Sequence, residues 1–384
     1  MGDQGRPFHV DADERRLWDE ALQEETTLDR VGKPYGDPAL EAYLSGLAAR
    51  LMSPAARAAG APALTVSVLR DPTLCAFAMP NGRIYVHTGL LARVADEAQL
   101  AMVLGREVVH VTHRHALAAT RHAGSQGVGP AAALEESWVT TETLRVTARV
   151  LLDPRLPLAR AAAVNGFGRA LEGEADTLGM EHMVQAGYDP REAPEVFEVF
   201  KKVHGDPPGL EGCFLGNPRR LDERIGTTRA LLRARYAALP AERPVRGTEE
   251  FERRLGPVRR DNALLDVQAG RFKQAQAQLD RVLALTPGDP VAHLHAGDLH
   301  RIEAQRATRP EDRAASLDRA RRAYERAAAL DPASADPYHR LGLLHYQERD
   351  TAGARAAFTR YLAIAPDAPD ARRIKEYLLE LSPR

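Results

Sequence analysis

The sequence predicts an α+β protein, mainly α: a helical domain holding a small sheet with a hairpin, followed by an all-α array of helical repeats. Three observations predict it. Leu64, Val66 and Val68 alternate with Thr65 and Ser67, the period of a half-buried strand, between stretches whose apolar residues recur three and four apart. The run Cys75, Ala76, Phe77, Ala78, Met79 meets Pro80-Asn81-Gly82 before Ile84-Tyr85-Val86, and Asn-Gly between extended runs signals a hairpin. Ala329-Leu330-Asp331-Pro332 recurs as Ile364-Ala365-Pro366, with Pro332 and Pro366 standing 34 residues apart.

Taken in order, residues 10–52 read as helices, with Leu17, Ala21 and Leu22 and then Leu40, Tyr43, Leu44, Leu47 and Leu51 at helical spacing. The strand and hairpin follow. Helical character returns at Asp96 and runs to about Thr120; residues 124–130 read as a loop, and a further helix ends near Asp153-Pro154. The next helix covers about 161–186 and stops at Gly187, with Asp189-Pro190 as the breaker. Residues 205–220, rich in Gly and Pro, read as a loop. The domain reading is 10–239 for the first domain, 240–260 for a linker and 261–384 for the repeats.

In the repeats, Tyr338, Leu341, Gly342 and Tyr346, then Ala354, Ala357 and Phe358, fit a helix-turn-helix unit, and 34 residues is the tetratricopeptide period. An earlier unit runs from about Ala263 to Pro287, with Gly270, Ala275 and Leu283 in the same roles. Pro287 and Pro332 are 45 residues apart, so 11 extra residues are expected around 305–313. Such arrays offer a concave surface to a protein partner.

The stretch that carries chemistry is Gly105-Arg106-Glu107-Val108-Val109-His110, followed by His113-Arg114-His115. In zinc peptidases two histidines four apart share one helix face and bind the metal, and a glutamate after the first polarises the bound water. Here the frame is Arg-Glu-x-x-His: Arg106 stands where the first histidine would, Glu107 takes the general-base position and His110 the second ligand position. Without its surroundings such a frame reads as a solvated helix face. His113 and His115 read as a polar helix end beyond the site, able to reach it only if the helix stops there.

The surroundings resemble the HExxH zinc metallopeptidases of the BepA and CAAX-prenyl-protease type, over roughly residues 13–255. The resemblance runs through Ala76 to Val86, Thr88-Gly89-Leu90-Leu91, Glu97-Ala98-Gln99-Leu100 and Asn165 to Asp176. It implies a gluzincin-like fold and makes Cys75, Ala76, Phe77, Ala78 and Met79 the strand edge that holds a peptide. It makes Glu172 the third metal ligand and Asp176 a carboxylate that orients a ligating histidine. Family members often carry a His-Pro ahead of Glu-Arg-Ile; here Asn217-Pro218 precedes Glu223-Arg224-Ile225, so Asn217 replaces a fourth contact and Arg224 is a further supporting residue.

A catalytic zinc needs three protein ligands and an open position, and only His110 and Glu172 remain of the expected set. Arg106 puts a permanent charge where the dication would sit, so its guanidinium is expected to fill that place and pair with Glu172 and Glu107. Three functional readings stand. The first and favoured one is a peptidase homologue with no cofactor that binds polypeptide in its cleft and a protein partner on its repeats. The second is an active zinc endopeptidase with non-standard ligands. The third is a repeat-type adaptor on an inert platform.

Composition narrows the field. With 52 basic and 53 acidic residues the net charge is -1, which argues against nucleic acid as a partner. No stretch approaches the ~20 apolar residues that span a bilayer. The N-terminus shows no apolar signal segment, which suits a cytoplasmic protein if that N-terminus is native, or a trimmed form of an exported one, and the resemblance implies the periplasm or cell envelope and a role in protein quality control. Cys75 and Cys213 are expected as unpaired thiols.

Overall fold

The computed structural model describes residues 10–125, 153, 155–165, 167–204, 218–239 and 245–382. Strands β1 (Thr65–Leu69), β2 (Ala76–Ala78) and β3 (Arg83–His87) form one sheet in the order β1-β3-β2, with β1 parallel and β2 antiparallel to β3. The hairpin closes through Met79 N–H to Arg83 O at 2.7 Å and Gly82 N–H to Met79 O at 3.1 Å. Gly82 sits at φ +103°, and a Cβ there would lie 2.5 Å from Ala63 O, so the turn needs glycine.

Both faces of the sheet are buried. Ala76, Ala78, Ile84 and Val86 join Val66 and Val68 in the main core, while Cys75, Phe77, Met79 and Tyr85 face Leu17, Ala21 and Leu28 of α1 (Ala12–Val31). Period-two alternation divides these residues between the two cores. Helices α2 (Pro38–Leu51), α3 (Pro54–Ala58) and α4 (Thr88–Arg93) lead to α5 (Glu97–Thr112), which is buried from Glu97 to Val111. Asp96 caps α5, accepting from Gln99 N–H at 2.8 Å. Asp96→Ala is expected to lower stability by about 1 kcal/mol, measured by urea unfolding.

Two expected helices are broken. The stretch read as one helix over 96–120 stops at Thr112; Arg114 adopts φ +55°, and α6 (His115–Ser125) begins directly after it. The stretch read as helix over 161–186 divides into a π turn (Ala161–Asn165), which directly follows α7 (Pro157–Arg160), and α8 (Arg169–Gln185). Gly168, at φ +93°, cannot continue a right-handed helix. Gly187, at φ +89°, follows α8, and Asp189 N–H then bonds Val245 O at 3.0 Å.

Helices α9 (Glu192–His204) and α10 (Pro218–Arg235) pack on each other and close the first unit. The expected linker 240–260 is helical from Glu249, the start of α11 (Glu249–Gln268). Phe251, Leu255 and Val258 are fully buried because their spacing of four and three puts them on one helix face. The chain divides into compact units at Val258/Arg259.

The second unit continues with α12 (Phe272–Leu285), α13 (Pro290–Arg306), α14 (Pro310–Leu330), α15 (Asp336–Gln347), α16 (Thr351–Ile364) and α17 (Ala371–Glu380). The extra residues form helix rather than loop: α13 and α14 have 17 and 21 residues, against 12 and 14 in α15 and α16. Successive pairs share one packing device. A Cβ on Gly297 would lie 2.3 Å from the Tyr324 ring, and one on Gly342 2.4 Å from the Phe358 ring. No described helix is long and apolar enough to cross a membrane.

Candidate functional site

The site forms where α5 and α8 cross almost in backbone contact. A Cβ on Gly105 would lie 2.9 Å from Gly179 O, and one on Gly179 would lie 2.9 Å from Arg106 N. That closeness brings Arg106, Glu107 and His110 of α5 against Glu172 and Asp176 of α8. Arg106 is 1% exposed. Its Nη2 donates to Glu172 Oε2 at 2.5 Å and its Nε to Asp176 Oδ1 at 2.5 Å, while Nη1 lies 3.6 Å from Glu107 Oε1. From α10, Arg224 donates through Nε to Asp176 Oδ2 at 2.9 Å and through Nη2 to Oδ1 at 2.8 Å, its guanidinium over the Phe197 ring. Asp176 thus takes two guanidiniums in place of the histidine it was expected to orient.

His110 Nε2 lies 3.6 Å from Glu172 Oε1, and its Nδ1 is 2.8 Å from Nδ1 of His115. The expectation for His115 is therefore corrected. The chain turns at Arg114, and His115 lies buried against His110. Phe167 N–H donates to Glu172 Oε1 at 3.1 Å. Sequence reasoning put His115 beyond the site unless the helix stopped there, and a left-handed arginine announces no such stop; it missed Phe167, for which the Gly-Phe-Gly stretch was a signal. Asn217 and Cys213 lie outside the described residues, and Cys75 is buried.

The electrostatics follow from burial and these charges. Burial opposes the Arg106 charge, but Asp176, Glu172 and Glu107 outweigh it and raise its pKa. Burial pushes Glu107 up to about 8 despite the nearby guanidiniums and the Ala78 N–H directed at it. Burial also disfavours ionised Glu172, yet His110, Arg106, Arg224 and the Phe167 N–H hold it down at about 2. Burial lowers His110 to about 3 and His115 to about 4, so both imidazoles are neutral at neutral pH. At neutral pH Glu172 is then ionised beside Arg106 and Arg224, with Glu107 mostly protonated.

The expected peptide edge is placed but covered. Cys75 and Met79 spend their backbone bonds on β3, so Ala76 and Ala78 turn theirs outward. Residues 75–79 are nevertheless 0–3% exposed. Leu156, Leu158, Ala159 and Ala163 pack beside Cys75, Phe77 and Met79, and the π turn lies against β2. The edge is therefore not open to a ligand in this conformation.

Peptidase family M48 matches residues 38–252, more than half of the chain. The chain belongs to peptidase family M48. A tetratricopeptide repeat profile matches residues 312–378. The mitochondrial metalloendopeptidase OMA1 of Arabidopsis thaliana is 33% identical over 141 residues, 37% of this chain and 26% of its own. The beta-barrel assembly-enhancing protease of Escherichia coli is 29% identical over 173 residues, 42% of this chain and 33% of its own. A Vibrio cholerae relative, provisionally named for the same activity, is 26% identical over 287 residues, 65% of this chain and 56% of its own. This chain thus spans less than two thirds of each relative's length. The human IFIT1 dimer with PPP-AAAA aligns at 15% identity and a TM-score of 0.28, over 99% of this chain and 78% of its own, too loosely to carry an argument.

The M48 family implies zinc where its members hydrolyse peptides. The described donor set does not fit that ion. Arg106 takes the place of one imidazole and engages Glu172, and among the described residues no three His, Cys, Asp or Glu side chains converge to hold a metal. What the arrangement does chemically is balance the buried carboxylates at the crossing of α5 and α8 with the guanidinium charge of Arg106 and Arg224.

Proposed function

We propose that this M48-family protein holds an extended, apolar stretch of polypeptide in its cleft without hydrolysing it, and that its tetratricopeptide repeats engage a protein partner. The observation that carries this reading is the buried ion pair of Arg106 with Glu172. A fixed guanidinium repels a dication and occupies the carboxylate that would ligate it. Without the metal, neither water activation nor charge stabilisation of the tetrahedral intermediate is available. A Glu107 held up at about 8 is also mostly protonated at neutral pH, which is the wrong form for a general base. The relatives' names, a beta-barrel assembly-enhancing protease and mitochondrial metalloendopeptidases, suggest protein assembly as the setting.

Elemental analysis of the purified chain beside Arg106→His tests this. The expected result is a native protein without bound zinc and a variant that gains about one zinc per chain, the single-ion stoichiometry of this site class. Near-stoichiometric zinc in the native protein, lost in Glu172→Gln, would sink the reading. It would support a second one, favoured by the contact of His115 with His110: a zinc endopeptidase in which His115 replaces the missing imidazole. In that case His115→Ala abolishes both zinc binding and peptide hydrolysis.

A further inference from the structure

A buried carboxylate of α1 bonds the backbone of the segment that packs beside β2. Glu24 of α1 is 6% exposed, and it accepts from Leu158 N–H through Oε1 at 2.8 Å and from Ala159 N–H through Oε2 at 2.9 Å. These are donors of the first turn of α7, which the helix itself leaves unsatisfied. With its backbone tied there, residues 156–163 place Leu156, Leu158, Ala159 and Ala163 in one cluster with Cys75, Phe77, Met79 and Tyr85. The π turn that follows packs against β2, the strand whose outward backbone groups belong to Ala76 and Ala78. So the face of β2 that carries Cys75, Phe77 and Met79 is filled by the chain's own Leu-Pro-Leu-Ala-Arg-Ala-Ala-Ala, residues 156–163.

We propose that residues 156–165 are an internal stand-in for the polypeptide ligand, that Glu24 is the latch that keeps them in place, and that the external ligand is a Leu- and Ala-rich segment which displaces them. The inference rests on the polypeptide-binding reading above and specifies its ligand class and its control. The side chains meeting β2 are leucine and alanine, so the wall accepts branched aliphatic and small residues and rejects a charge, whose burial there would find no partner. Glu24 acts through the cover, as a positioning residue. Opening requires both N–H groups to leave their acceptor, and apparent affinity for a competing segment scales with the fraction of molecules open.

The test uses the full chain, wild type and Glu24→Ala, with a fluorescein-labelled peptide of the sequence 156–163 and a control peptide bearing aspartate in place of its second leucine. Hydrogen exchange is followed at the amides of Leu158, Ala159 and Ala76, with the core of α5 as internal reference. The expected result is faster exchange at those amides alone and peptide affinity raised about tenfold or more in the variant, with no binding of the control. Unchanged exchange at Leu158 and Ala159 would overturn the latch. A uniform rise that includes α5 would overturn it as well, because Glu24 would then serve the whole core. Selective opening of residues 156–163 without any peptide binding would leave the latch standing, but would overturn both the stand-in proposal and the polypeptide-binding reading.

Discussion

Replacing Arg106 with methionine is expected to lower the stability of the first unit by about 3–5 kcal/mol, the range for removing one partner of a buried ion pair. Methionine matches the aliphatic stem of arginine but leaves Glu172 and Asp176 facing each other with Arg224 as the remaining strong cation. Trp18, on α1, falls in the first unit, so urea unfolding followed by its fluorescence reports on that unit directly. The pH dependence supplies a second reading. In the native protein Glu172 is depressed to about 2, so its contribution is present above the ordinary value of 4.5 and is lost as pH falls towards 2. In Arg106→Met that carboxyl titrates higher, and mild acid should recover part of the loss. A decrease under about 1 kcal/mol, the level of an exposed ion pair, would show that the carboxylates do not depend on Arg106.

Gly179→Ala is expected to cost about 1–3 kcal/mol, the range for overpacking a close-packed interior, although alanine is the better helix former. The added Cβ meets Arg106 N at 2.9 Å and Gly105 C at 3.2 Å, which are backbone atoms and cannot rotate away. The two helices must separate, and the first contacts to lengthen are the 2.5 Å bonds from Arg106 to Glu172 and Asp176. The same denaturation assay measures the loss. A variant as stable as the native protein would mean that the crossing has slack and that glycine is dispensable at this position.

Much of the architecture was legible because it rests on periodicity and on turn chemistry. Alternation at 64–69, Asn81-Gly82 between extended runs and the 34-residue spacing of Pro332 and Pro366 each report a local rule, and local rules survive without tertiary context. The breaks were harder. Arg114 is left-handed without being glycine, so nothing in its residue type announced that His115 would fold back onto His110. The linker reading over 240–260 failed from Glu249 onward, because Pro and charge near its start outweighed the buried face of Phe251, Leu255 and Val258.

The candidate site divides in the same way. The sequence by itself determined that an arginine stands one helical turn before His110, that Glu172 and Asp176 share a face of a later helix, and that a family resemblance joins the two segments. Only the tertiary structure decided that Arg106 reaches both carboxylates, that Arg224 shares Asp176, and that Glu24 accepts from the backbone of Leu158 and Ala159. The physical reason is range. Spacing along one helix is set by 3.6 residues per turn, whereas which charges meet depends on how closely α5 and α8 approach. That approach is set by two glycines 74 positions apart, Gly105 and Gly179, whose lack of side chains is invisible as a contact until the fold brings them together.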